Sequence, residues 1–185
     1  MVFTTMRFNV AQLLKEPVGE HRSYAFDEAL EMDDDIRLTK AVRGSVKLTR
    51  LNQGLLADAH ATTAVELECS RCLDVFEAPI AVTFEECFVP TVDIHTGLPY
   101  RAHELDPVDV FHIDDHHMVD LSEPMRQHIV LAIPMMPLHA PDCPGLCPVC
   151  GINLTFHPGH AHTEVVVDER LQALRTLIDQ SSSTP

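Results

Sequence analysis

Between Ala41 and Val89 apolar and polar residues trade places with a period of two. In VRGSVKLTRL, Val46, Leu48 and (after Arg50) Leu51 alternate with polar neighbours. LLADAHATTAVELEC resumes the alternation, with Ala64, Val65 and Leu67 near its end, and FEAPIAVTFEECFV sets Ile80, Val82 and Phe84 on one face. That period marks half-buried strands. Asn52 to Gly54 reads as the turn between the first two, and CSRCLD as the connection to the third. The pattern predicts an antiparallel β-meander.

The flanks change period. Asn9 is placed to cap a helical turn carrying Val10, Leu13 and Leu14, which Pro17 and Gly19 end. SYAFDEALEMDDD reads as a strand running into an acidic loop. Thr91 to Val119 shows no period and reads as loop. From Ser122 the spacing becomes helical, with Met125, Ile129 and Ala132 on one face. Ser122 reads as the N-cap, Glu123 suits the positive helix end, and Pro124 fits the first turn. Pro134 and Pro137 stop this helix. A second main helix is expected from Asp168, with Leu171, Leu174 and Ile178 on one face, before a frayed SSSTP tail. The expected fold is α+β: an antiparallel β-meander with two main helices and a stapled C-terminal segment. Residues 1–138 would form the core, and 139–185 a Cys/His-rich segment with the last helix, packed on that core.

Composition narrows the function. Hydrophobic residues make up 45% of the 185, enough for a buried core. No stretch has the length of a membrane span. The start, MVFTTMRFNVAQLLKEP, lacks the pattern of a signal or transit peptide, so a cytoplasmic protein is expected. Asp and Glu total 28 against 13 Lys and Arg, a formal net charge of −15. Bulk phosphate repels such a chain, whereas a basic protein partner suits it; acidic surface also serves solubility alone. With no Trp and 5% aromatics, base-stacking platforms have little to be built from. There is no Gly-rich phosphate loop and no G-x-S-x-G, so neither an enzyme nor a small-molecule substrate is expected.

The cysteines carry the chemistry. Cys69 and Cys72 in CSRC, and Cys147 and Cys150 in CPVCG, are two Cys-x2-Cys pairs among only six cysteines. Two thiolates on one tight turn supply half of a tetrahedral Zn²⁺ site. In a cytoplasmic chain such pairs point to metal rather than disulfides. A redox reading of CSRC needs a strand before the motif and a helix after it, and here the motif joins two strands. One grouping is Cys69, Cys72, Cys147 and Cys150, although the pairs lie much farther apart than the roughly 15–20 residues of a zinc ribbon. The other makes two sites, Cys69, Cys72, His139 and Cys143, then Cys147, Cys150, His160 and His162. Either closes a site with four protein ligands, so the metal would be structural, one or two ions per chain. Cys87, between Glu86 and Phe88 in a strand, reads as an ordinary buried cysteine. HIDDHH (His112 to His117) reads as a solvated loop, and His21, His60, His95 and His128 as ordinary.

Four blocks then carry a resemblance: RFNVAQLLKEPVGEHRSYAFDE, VKLTRLNQGLLADAHATTAVELECSRCLDVFEAPI, LSEPMRQHIVLAIPMMPLHAPDCPGLCPVCGINL and DERLQALRTLI. In that order they resemble the bacterial YceD family, the large ribosomal RNA subunit accumulation proteins. The resemblance implies a part in 23S ribosomal RNA accumulation and large-subunit biogenesis, without implying a mechanism. Where many members carry Cys this chain has His139, and where many carry Cys-x-Cys it has His160 and His162. Cys-to-His exchange keeps zinc-binding character, so the resemblance favours two sites. The C-terminal segment would dock near the first hairpin turn, anchored by Cys69 and Cys72. Three function classes follow: an acidic, zinc-stabilised adaptor for a basic ribosomal protein or rRNA-processing factor; a direct RNA binder using the zinc knuckles and the basic run Arg37, Lys40, Arg43, Lys47 and Arg50; and, remotely, a nuclease or thiol oxidoreductase.

Overall fold

The structure is a computed structural model that describes residues 6–32, 36–99 and 110–162. It is mostly β-sheet with one main helix. The strands are β1 (Arg7–Asn9), β2 (His21–Glu28), β3 (Arg37–Leu38), β4 (Val42–Leu51), β5 (Gly54–Glu68), β6 (Val75–Pro90), β7 (Phe111–Ile113) and β8 (Met118–Asp120), and the helix is α1 (Ser122–Ala132). The main sheet runs β2-β4-β5-β6-β7, with β3 pairing the far end of β5. β4, β5 and β6 form the expected meander, joined by a turn at Asn52 and Gln53 and by the Cys69–Asp74 connection. Arg50 straps the first turn, donating to the carbonyls of Leu51 and Gly54.

Alternation decides which face is buried. Along β6, Ala78, Ile80, Val82, Phe84 and Phe88 turn inward; Leu55, Ala57, Ala59, Ala61 and Val65 do so from β5, and Val42, Val46 and Leu48 from β4. Their cover comes from Met6, Val10, Leu13 and Leu14 near the N-terminus, Val119 and Leu121 at β8, and Met125 and Ile129 of α1. α1 packs on β6, where the His128 ring stacks on Phe84 at 4.3 Å and Nε2 lies 3.0 Å from Glu86 Oε1.

Several expectations need correction. One main helix is described, not two; the helix expected from Asp168 lies outside the described residues. The stretch from Thr91 to Val119 is not all loop. It holds β7, which adds to β6 in parallel, and β8, which pairs antiparallel with β1. Strands of three residues are too short to show a period, and their partners fix them. Cys87 is exposed, not buried: Phe84 and Phe88 face inward, so the odd position between Glu86 and Phe88 faces out. The oxygen capping α1 belongs to Asp120, which accepts from the Ser122 N–H at 2.9 Å. Ser122 is itself the first helical residue, one position inside the expected cap. α1 ends at Ile133, which is extended as a residue before proline must be. Among the described residues no helix is long and apolar enough to cross a membrane.

Gly44 falls on the inward parity of β4, opposite Ala61 and Phe26. A Cβ there would lie 2.1 Å from the His60 carbonyl oxygen and 2.8 Å from Ala61 Cα. Only glycine lets β4 and β5 approach so closely. Gly44→Ala is therefore expected to destabilise the fold by about 1–3 kcal/mol, read as a lower urea midpoint at unchanged slope.

Candidate metal centres

The β5–β6 connection is a tight knuckle. The Cys69 N–H donates to Asp74 O and the Leu73 N–H to Cys69 O, each at 2.9 Å. The turn buries both thiols, Cys69 and Cys72. The chain leaving α1 comes back to it. The Ser70 N–H donates to Pro137 O at 2.8 Å, Arg71 Nη1 to Cys143 O at 3.0 Å, and the Leu146 N–H to Arg71 O at 3.0 Å. These bonds bring His139 and Cys143 over the knuckle. The ligand atoms of Cys69, Cys72, His139 and Cys143 all lie within 4.8 Å of one another. Sγ of Cys69 and Cys143 are 3.8 Å apart, and Sγ of Cys72 is 3.2 Å from His139 Nδ1. A tetrahedron with metal–sulfur bonds of about 2.3 Å has sulfur–sulfur edges of about 3.8 Å, so donor type and spacing both fit one ion.

The second cluster is built by a second knuckle. The Cys147 N–H donates to Ile152 O and the Gly151 N–H to Cys147 O, each at 2.8 Å. Leu146 and Asn153 form a one-residue bridge. Cys147, Cys150, His160 and His162 again place their ligand atoms within 4.8 Å of one another. Cys150 Sγ lies 3.2 Å from His160 Nε2 and 3.3 Å from His162 Nε2, and these two nitrogens are 3.0 Å apart. Sulfur and imidazole nitrogens converging on one point form a donor set suited to a soft or borderline divalent cation.

The knuckles share a left-handed backbone position but fill it with different residues. Gly151, just after the second pair, has φ +73°, the left-handed conformation glycine tolerates. The matching residue of the first knuckle is Leu73, held at φ 64° although its side chain is largely exposed. A leucine there costs roughly 1–2 kcal/mol.

The thiols are unequal. Burial pushes the Cys69 thiol up, but the backbone N–H groups of His139, Arg71 and Cys72, together with the His139 side chain, outweigh it and hold the thiol at about 5. Burial pushes Cys72 up to about 12, helped by the neighbouring Cys69, Asp74 and Cys143 side chains and only partly opposed by a backbone hydrogen bond at Asp74. Backbone N–H groups of Cys150 and Val149 bring Cys147 down to about 6 against its desolvation. The knuckle N–H groups thus favour the charged form of Cys69 in one cluster and of Cys147 in the other.

The structure thus groups the eight candidate ligands as two sets and keeps the two Cys-x2-Cys pairs in different ones. The described part of the C-terminal segment, residues 139–162, docks on the β5–β6 connection, at the opposite end of β5 from the first hairpin turn. HIDDHH covers the end of β7 (His112 and Ile113) and the turn that leads on to β8. Asp114 Oδ1 accepts from His116 N–H at 3.0 Å and Met118 N–H at 2.7 Å, and Oδ2 accepts from Arg7 at 2.7 Å. Neither ligand group includes any of its histidines. Sequence reasoning missed the docking residues: Arg71, and Asp74, whose Oδ2 accepts from Asn153 Nδ2 at 2.9 Å. Their positions within or just after a Cys-x2-Cys pair were the available signal.

A family model described as "Large ribosomal RNA subunit accumulation protein YceD" matches residues 57–178. Uncharacterized proteins of Mycobacterium bovis and Mycobacterium tuberculosis are each 29% identical to this chain over 160 residues, 86% of this chain and 68% of theirs. One from Mycobacterium leprae is 27% identical over 122 residues, 65% of this chain and 52% of its own. No solved structure matches the chain.

Two outcomes are expected from this geometry. Leu73→Gly should raise stability by about 1 kcal/mol, read by urea unfolding, because it relieves the left-handed strain and gives up little packing. Metal uptake at pH 7 should release protons, the raised Cys72 thiol among their sources; titration calorimetry in buffers of different ionisation enthalpy counts them, and Cys72→Ser should lower the count. For the same reason, the stabilisation from the depressed Cys69 thiol is complete above the ordinary thiol range and gone once pH falls through about 5.

Proposed function

The chain belongs to the YceD family, and on that premise we propose that it is a non-enzymatic factor supporting accumulation of 23S ribosomal RNA and thereby large-subunit assembly. It works in the cytoplasm as an acidic adaptor whose partner is a basic ribosomal protein or an rRNA-processing factor. Zinc stabilises it, with Cys69, Cys72, His139 and Cys143 holding one ion and Cys147, Cys150, His160 and His162 the other. Four protein ligands leave no open coordination position for substrate, which favours a structural over a catalytic metal.

The observation that carries the adaptor reading is the placement of charge. A direct RNA surface would draw on the basic run along β3 and β4. Arg37 is paired with Glu66 at 3.8 Å, Lys40 with Glu77 at 2.5 Å and Arg43 with Asp27 at 3.0 Å. Arg50 is turned onto hairpin carbonyls. Of the five, only Lys47 has neither an ion pair nor such a strap among the described residues, and it sits opposite Asp58 across the strand pair. Carboxylates already answer three of these five cations, in a chain whose net charge is −15, which leaves little unpaired positive charge to meet phosphate.

The test is a pull-down of tagged protein from its own cells, divided into halves, one treated with ribonuclease. A basic ribosomal protein or processing factor is expected to stay bound in both. If every partner leaves with the RNA, the adaptor reading fails and the direct RNA reading takes its place.

A further inference from the structure

The two clusters share ligand chemistry but not surroundings. In the first, Cys69, Cys72 and Cys143 are 0%, 3% and 3% exposed and are packed by Phe76 and Leu138. Their backbone is fixed between β5 and β6 and bonded to the segment after α1 through Ser70, Arg71 and Cys143. In the second, only Cys147 is buried; Cys150 and His162 are exposed and His160 is half-buried. Its segment, residues 144–162, contains no helix or strand. It is tied to the sheet through Leu146 and Asn153, both ahead of its two histidine ligands. The stretch bearing those histidines is held by local contacts: the His160 N–H donates to His157 O at 3.2 Å, and His157 Nδ1 lies 3.2 Å from Asn153 O.

A competing ligand removes a metal ion by reaching it, or by occupying the position of a protein ligand that has let go. Both routes need solvent access to the ligand atoms and a backbone that opens cheaply. The second cluster offers both; the first is open to solvent only at His139, its three thiols being closed off and its knuckle held between two strands. We infer that the second cluster is an exchangeable site for a thiophilic divalent cation such as Zn²⁺, emptying and refilling with supply while the first keeps its ion. This rests on the metal reading of both clusters and adds regulation to it. Residues 147–162 would be ordered when the cation is plentiful and released when it is scarce, with the sheet and the first staple unchanged.

The test uses the full chain saturated with Zn²⁺ and challenged with an excess of a colorimetric pyridylazo chelator. One equivalent is expected to leave on the order of tenfold or more faster than the other. His162→Ala, and separately Cys150→Ser, should remove the fast equivalent and spare the slow one, with the β-sheet circular dichroism unchanged. Release of both equivalents in a single phase, or loss of the slow equivalent in either variant, overturns the inference. Uptake of one equivalent in total also overturns it but leaves the first cluster standing. Uptake of none overturns the metal reading of both clusters.

Discussion

Three sulfurs and an imidazole held within 4.8 Å set the terms for this end of the molecule. Cys69 and Cys143 are 74 residues apart in sequence, yet their sulfurs are 3.8 Å apart. Closing a long loop costs only logarithmically more than closing a short one; confining the donors is the harder part. Backbone N–H groups lower the Cys69 thiol to about 5, and its presence beside Cys72 helps push that thiol up to about 12. Like charges in a buried space disfavour one another until a cation joins them. The cluster is a closure that a soft divalent ion would complete, and the knuckle amides around Cys69 already favour its charged form.

The sheet explains why such a closure is needed. The main core lies on one face of β4, β5 and β6 and under α1. Beyond it, the buried hydrophobic cluster at the β5–β6 connection consists of Cys69, Cys72 and Cys143, with Phe76 and Leu138 packed at its edge. So small an apolar patch does not offset the entropy of ordering the chain after Pro137. Hydrogen bonds from Ser70, Arg71 and Leu146 align the two segments, and coordination of a metal would supply the missing free energy, on the order of 10 kcal/mol for a structural zinc. On the surface, Arg37, Lys40 and Arg43 are each paired with a neighbouring carboxylate.

Much of this was written in local pattern. Alternation marked β4, β5 and β6 with their inward residues, because a half-buried strand must show its period in sequence. Met125 and Ile129 gave away the buried face of α1. The two Cys-x2-Cys pairs announced candidate metal ligands, since two thiolates on one tight turn supply half of a tetrahedral site. The same rule, applied strictly, places Cys87 outward with its neighbours on the odd parity; residue type argued for burial, and the pleat prevailed.

What the sequence by itself determined is therefore the meander, the apolar face of α1, the net acidity and the kinds of side chain that serve as ligands, all of which depend on residues close together in the chain. Tertiary structure alone decided which ligand joins which. Spacing within a Cys-x2-Cys pair fixes half a site and says nothing about where the other half comes from, so spacing left both one four-cysteine site and two mixed sites open. The path of the chain after α1, back across the β5–β6 connection through Arg71 and Asp74, gave His139 and Cys143 to the first knuckle and left His160 and His162 for the second. It likewise set β7 in parallel beside β6 and β8 beside β1, because strands of three residues take their place from the partner they meet rather than from any pattern of their own.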